Sequence, residues 1–330
     1  MATKVKFGVA LFPTEPAPET VEQAKLAEKL GYDGVWVGDS HIIWRELYVI
    51  LGAIAAQTKK IGIGSGVTHP HVRHLTLTAS AFATLAELVP GRMSIGIGIG
   101  ASGPRNIGVK PVAVDKLIEG VENLRKLFRG ESMSVEGKPV RLMYSSRVDI
   151  PIYIAANAPR SRQAAARIAD GVILGGRRDK VAAGVEVVRT AARAIGRADD
   201  SLKIMSWIPC SIGRDGKAAR DAVKPHVARS AMVVFTGMLK RGEMIPEEDR
   251  LATERLNREY DFSHHMGPEH SHLVPEKWVD LFSIAGTPEQ VRARIEQTVT
   301  DGANIVTIVP YGNKEAIIKD FAKKVMTAFR

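Results

Sequence analysis

A parallel eight-stranded (β/α)8 barrel, of the TIM-barrel type and in one domain spanning residues 1–330, is the α/β fold this sequence predicts. Three observations predict it. Short β-branched apolar runs alternate with amphipathic stretches along the chain, and the pairs count to eight. Right-handed βαβ units repeated eight times close most naturally into a barrel. The first strand ends Leu11-Phe12-Pro13-Thr14, without the glycine-rich phosphate loop that an open doubly wound sheet carries there.

In order, the expected strands are 5–12, 34–38, 61–67, 93–99, 152–155, 171–174, 203–212 and 305–309. Each is a short run rich in valine, isoleucine or aromatic residues, the pattern of a buried strand. The expected helices are 20–30, 47–57, 75–88, 114–128, 160–168, 181–195, 288–300 and 314–328, where apolar residues recur with helical spacing. Two segments break the rhythm. Residues 130–143 read as a hairpin, with Glu136-Gly137 as the turn between two alternating runs. Residues 215–283 form a long insertion between the seventh strand and the helix leading to the eighth. Long insertions in compact domains serve as lids or binding segments, and this one follows a strand end, where barrel active sites lie. It holds a histidine-rich stretch from His264 to His272.

Composition narrows the function classes. Hydrophobic residues make up 45% and charged residues 25%, which excludes disorder and collagen-like repeats. The one cysteine, Cys210, excludes an internal disulfide framework and a cysteine zinc cluster. With 46 basic and 36 acidic residues the net charge is +10. The basic residues are scattered along helices, without aromatic interleaving, so nucleic acid is not expected; a solvated basic surface and an anionic small ligand are the two readings. The opening lacks the signature of a secretory signal and no apolar run reaches membrane-span length, so a cytoplasmic protein without membrane contact is expected.

The chemistry-bearing residues sit at predicted strand ends. Asp39 closes strand two, where barrel enzymes place ligand-contacting groups, and His41, Trp44 and Glu46 follow on the same loop. The alternative reading is a capping aspartate with surface aromatics. Strand three ends Gly64-Ser65-Gly66-Val67-Thr68-His69-Pro70-His71, followed by Arg73-His74. His69, His71 and His74 have no carboxylate nearby in the sequence and no helical spacing. They read as hydrogen-bonding groups of a pocket, and no metal is expected. Strand four alternates glycine through Gly96, Gly98 and Gly100, leaving one face bare for a flat ring or a tightly filled interior. It is not the dinucleotide fingerprint, which must open a helix. Gly175-Gly176-Arg177-Arg178, just before a helix, suits a phosphate through backbone N–H groups and guanidinium charge; a plain turn is the alternative.

Together with Glu87–Arg92, Pro151–Pro159, Ala169–Val172 and Ala285–Val291, these segments resemble the bacterial luciferase-like superfamily of flavin- and deazaflavin-dependent oxidoreductases. Within it the chain is most similar to the methylenetetrahydromethanopterin reductase branch, which uses the deazaflavin coenzyme F420. The resemblance implies a ring at the C-terminal mouth of the barrel, with Asp39 near it. It implies a strand-three bulge at Gly66-Val67, often with a non-prolyl cis peptide. Gly98 and Gly100 would lie beside the ring, Ala156 and Asn157 at the strand-five end, and Gly175, Gly176 and Arg177 around the phosphate. Asp39, His41 and Glu46 are the expected catalytic groups, with Trp44 and His69 against the substrate. Sugar-phosphate-oxidising members carry histidine directly after the strand-two acid; here that place is Ser40, with His41 next. The implied function is F420-dependent hydride transfer with an organic small molecule, in a homodimer. Two alternatives stand: an FMN-dependent monooxygenase supplied with reduced flavin by a partner reductase, and a non-catalytic flavin-binding protein.

Overall fold

Numbered along the chain, the strands are β1 (Lys6–Leu11), β2 (Gly34–Val37), β3 (Gly62–Ser65), β4 (Met93–Ile97), β5 (Met133–Val135), β6 (Lys138–Val140), β7 (Ile152–Ala155), β8 (Gly171–Leu174), β9 (Lys203–Ile212), β10 (Ile284–Gly286) and β11 (Ile305–Pro310). Eight of them run parallel in the order β1-β2-β3-β4-β7-β8-β9-β11, and β11 returns to β1 to close the ring. This computed structural model describes residues 5–100, 102–144, 147–198, 200–261 and 267–330. Ala101 of the strand-four segment, and His264 and His265 of the expected histidine stretch, lie outside the described residues.

The helices around the ring are α1 (Ala17–Lys29), α2 (Leu47–Gln57), α3 (Leu75–Leu88), the short α4 (Ser102–Arg105), α5 (Val114–Phe128), α6 (Pro159–Ile168), α7 (Val181–Arg193), α11 (Pro288–Thr300) and α12 (Lys314–Lys324). Local chemistry sets many of their ends. Glu46 caps α2 by accepting from the Val49 N–H at 3.0 Å. Thr287 and Gln290 cap α11 reciprocally, the capping box that Thr-Pro-Glu-Gln spells out. The hairpin expected at 130–143 is β5–β6, with Glu136 (φ 49°) and Gly137 (φ 81°) both in the left-handed region that a two-residue hairpin turn needs.

Two apolar layers result. Outward-facing strand residues such as Val9, Val35 and Ile95 pack against the helices. The inside of the ring is filled by Trp36, Tyr153, Met205 and Trp207, with Tyr311 just past β11. Glycines make room for these rings. A Cβ at Gly64 would stand 2.5 Å from Trp36, one at Gly66 2.4 Å from Trp207, and one at Gly171 2.4 Å from Tyr153. The strand glycines therefore serve first to pack aromatic groups inside the barrel.

The insertion is helical. α8 (Gly216–Lys240), α9 (Glu247–Glu259) and α10 (Glu276–Phe282) lead into β10, which extends the sheet beside the end of β9. They share a core of their own, with Val227, Phe235, Leu256, Trp278 and Phe282 among its buried members. Trp278 is fully buried, and its indole N–H donates to Asp249 at 2.6 Å. Some expected boundaries move: β3 stops at Ser65, β4 stops at Ile97, and α12 stops at Lys324 before a 3-10 turn over Met326–Phe329. The Gly66–Val67 peptide is cis. Among the described residues no helix is long and apolar enough to cross a membrane.

Candidate active site

Asp39 lies two residues past the end of β2 and is 4% exposed at the C-terminal rim of the barrel. The segment after β3 holds it. The Gly66 N–H donates to the Val37 carbonyl at 2.6 Å, and the Thr68 backbone pairs with β4 through Gly96 and Gly98. That pairing delivers the Thr68 hydroxyl to Asp39 Oδ2 at 2.7 Å. Arg73, just before α3, donates to the same oxygen at 2.7 Å. Its other terminal nitrogen donates to Glu46 Oε1 at 2.7 Å, and its guanidinium lies 4.8 Å over the Tyr48 ring.

The electrostatics follow from that geometry. Burial alone would raise the Asp39 carboxyl. His69, the Arg73 guanidinium and the Thr68 hydroxyl outweigh it and hold the group at about 2. His69 Nδ1 stands 3.8 Å from Oδ2, beyond hydrogen-bond reach, so Arg73 and Thr68 are the partners at bonding distance. All of these contacts go to Oδ2, and no described residue donates to Oδ1. Asp39 is thus a fixed anion with one oxygen committed to the protein.

The other rim residues divide into two groups. Ser40 Oγ, His41 Nδ1 and His69 Nδ1 are buried beside Asp39 without a hydrogen-bond partner, which is costly for groups enclosed by protein. Trp44 stacks on Phe12 at 4.4 Å and 9° over Gly38, so it forms a wall of the mouth. Glu46 is engaged by both oxygens, one on Arg73 and one on the Val49 N–H, so it positions Arg73 and caps α2 in this arrangement. Of the remaining histidines of strand three, His71 lies edge-on to His69 at 6.4 Å with its Nε2 on the Lys110 carbonyl at 3.1 Å, and His74 Nδ1 meets Thr76 at 2.7 Å.

Across the rim, Val67, Gly98 and Ala155 meet closely. A Cβ on Gly98 would stand 3.2 Å from Val67 and 3.3 Å from Ala155. Gly100 takes φ 89°, which brings its backbone against Pro104 and the His69 ring. Ala156 is buried behind them, and its N–H donates to the Ile173 carbonyl. At the end of β8, Asn157 accepts from the Gly175 N–H at 2.8 Å. A Cβ at Gly175 would meet neighbours only from 3.6 Å and one at Gly176 only at 4.0 Å, so this turn is loosely packed. The arginines behind it are occupied. Arg177 forms a two-pronged pair with Asp179 at 2.9 and 2.6 Å, and Arg178 donates to the Asp280 carbonyl at 3.0 Å. With both guanidiniums engaged and the Gly175 N–H given to Asn157, only the backbone N–H groups that follow Gly175 are left at this turn for an anion.

The insertion adds residues that the sequence pattern did not single out. α8 carries His226 and Arg229 one turn apart on one face. His226 Nδ1 shares a 2.7 Å hydrogen bond with the Tyr311 hydroxyl, and Tyr311 belongs to the aromatic filling of the barrel. The described histidines of the expected stretch have structural contacts. His270 stacks on Tyr260 at 4.1 Å and accepts from the Asp261 N–H, and His272 bonds the Glu269 carbonyl.

The 5,10-methylenetetrahydromethanopterin reductase of Methanolobus tindarius is 29% identical over 97% of this chain and 99% of its own. The enzyme of the same name from Archaeoglobus fulgidus is 29% identical over 98% of this chain and 99% of its own. The structure of coenzyme F420-dependent tetrahydromethanopterin reductase from Methanopyrus kandleri superposes with a TM-score of 0.85 at 26% identity, covering 99% of this chain and 100% of that one. The model of the luciferase-like monooxygenase family matches residues 2–304. The chain belongs to that family.

Proposed function

We propose that this protein is an F420-dependent oxidoreductase that transfers a hydride between the deazaflavin and an organic small molecule. The observation that carries the reading is the match of nearly the whole chain to methylenetetrahydromethanopterin reductases, one of them a structure described as F420-dependent. The mouth fits such a coenzyme. Its aromatic wall can pack a flat ring, and the loosely packed Gly175-Gly176 turn offers the backbone after Gly175 to a phosphate. Asp39 offers Oδ1 to an N–H or hydroxyl.

When bound, F420 supplies the hydride chemistry, and the protein supplies orientation and a dry site. Arg73 and Thr68 fix the Asp39 carboxylate so that its acceptor does not turn away. The Trp44–Phe12 stack walls the mouth and limits water. His69, 3.8 Å from the fixed anion, and His41, whose buried Nδ1 has no partner, are the groups placed to hold or move a proton. The test is anaerobic turnover with reduced F420, trying methylenetetrahydromethanopterin first and then other imines and activated alkenes. Growth of the oxidised F420 band without dioxygen is the expected result. Turnover that consumes dioxygen and requires reduced FMN would overturn the reading in favour of a monooxygenase.

A further inference from the structure

Most of the arginines described around the mouth are paired, and Arg229 is not. Arg73 pairs with Asp39 and Glu46, Arg177 with Asp179, and Arg220 with Glu276 and Asp280. Arg229 is half-buried on α8, and no described residue gives it a hydrogen bond or an ion pair. The ionisable groups that face it are Tyr260, Tyr311 and a second arginine, Arg105 of α4, which repels it. Burial, with Arg105 adding to it, presses the guanidinium below its ordinary value. Arg105 itself has no carboxylate partner among the described residues. A cation removed from water and faced by another cation is stabilised only when an anion joins it.

The surroundings are built to receive one. Tyr311 is held by His226 at 2.7 Å, with the rings 5.3 Å apart, and His226 sits on α8 one turn before Arg229, so the helix face that carries Arg229 also anchors the Tyr311 hydroxyl. Burial raises the Tyr311 phenol well above its usual value, so it stays neutral. The position in the ring also matters. The proposed coenzyme lies along the ends of β3, β4, β7 and β8, whereas Tyr311 follows β11, on the arc that this leaves open.

We infer that Arg229, with Tyr311 and Arg105, forms a subsite for an anionic group of the substrate, a carboxylate or a phosphate, so that the substrate is an anionic organic molecule. This deepens the proposed function and rests on it for the word substrate; the anion subsite itself does not depend on which coenzyme binds.

The experiment measures thermal stabilisation of the coenzyme-free protein by inorganic phosphate and by succinate, with F420 affinity measured separately. Wild type should show saturable stabilisation by at least one of the two anions. Arg229→Met should weaken that response about tenfold or more, the loss expected for a charge-assisted contact. It should also melt no lower than wild type in anion-free buffer, since an unpaired buried charge has gone. Tyr311→Phe should weaken the response less, and Arg177→Met should leave it intact. Arg229→Met should bind F420 as wild type does; a matching loss of F420 affinity would assign the subsite to the acidic tail of the coenzyme instead. An equal anion response in wild type and Arg229→Met overturns the inference, as does a lower melting point for Arg229→Met in anion-free buffer. Failure of F420 to bind wild type, with the anion response intact, overturns the proposed function and leaves the anion subsite standing.

Discussion

A carboxylate held at about 2 is charged throughout the neutral range, and at Asp39 that charge is tied to the fold. The folded value lies below the ordinary aspartate value of 3.8. The stabilisation it brings is therefore fully present above about pH 4 and is lost as pH falls toward 2. The difference amounts to about 2 kcal/mol at neutral pH. Asp39→Asn should lower stability by about that amount at pH 7 and flatten the acid limb of the melting curve between about pH 4 and pH 2. Melting temperatures of both proteins across that range check it, and parallel acid limbs would show that Asp39 is not the titrating group. Asp39 was legible in the sequence because it ends a strand on a barrel rim. Its partners were not. Thr68 and Arg73 lie 29 and 34 residues away, and only the turn after β3 brings them back. A buried acid demands a cation, but the sequence names several candidates and only the fold selects one. Glu46 shows the same limit: its place on the loop suggested chemistry, and its contacts are a helix cap and an arginine.

Periodicity reports elements well where one face is buried and the other wet. α2, α3, α5 and α11 lie where their apolar spacing places them, and the Glu136-Gly137 turn follows from its residue types. The insertion was recognisable by length alone. Its helices bury their apolar faces against one another, and the pairing of Trp278 with Asp249 spans 29 residues with no local signal. Pro225 sits inside α8, a residue that argues against a helix when read locally. Packing of Val223, Val227 and Phe235 on the insertion core overrides it. Trp278→Ala should cost about 3–5 kcal/mol, the usual loss for a large aromatic deleted from a core. That core meets the barrel interior at Tyr311 and otherwise has its own buried members, so limited proteolysis should cut first between residues 216 and 283, while the barrel fragment persists. Cleavage spread evenly over the chain would mean that insertion and barrel unfold as one unit.

At the scale of the molecule, a closed parallel ring puts every strand end on one rim, which is why residues scattered from Asp39 to Tyr311 share a mouth. The eight-pair rhythm made that ring legible, whereas the net charge of +10 suits a solvated basic surface as well as an anionic ligand. The face that α8 turns toward the mouth was not legible, because an insertion has no repeat to be compared with. The central claim is that this mouth holds a deazaflavin. Trp36 and Trp207 line the barrel interior and Trp44 stands at the rim, so a ring bound there should quench tryptophan fluorescence. The direct measurement is an equilibrium titration of the protein with F420 and, in parallel, with FMN, followed by that quenching at low and high salt. The account predicts saturable binding of F420, about tenfold or more tighter than FMN, an advantage of about 1.4 kcal/mol or more, weakening as salt screens the basic surface. FMN binding as tightly as F420, or no saturable quenching by F420, would contradict it.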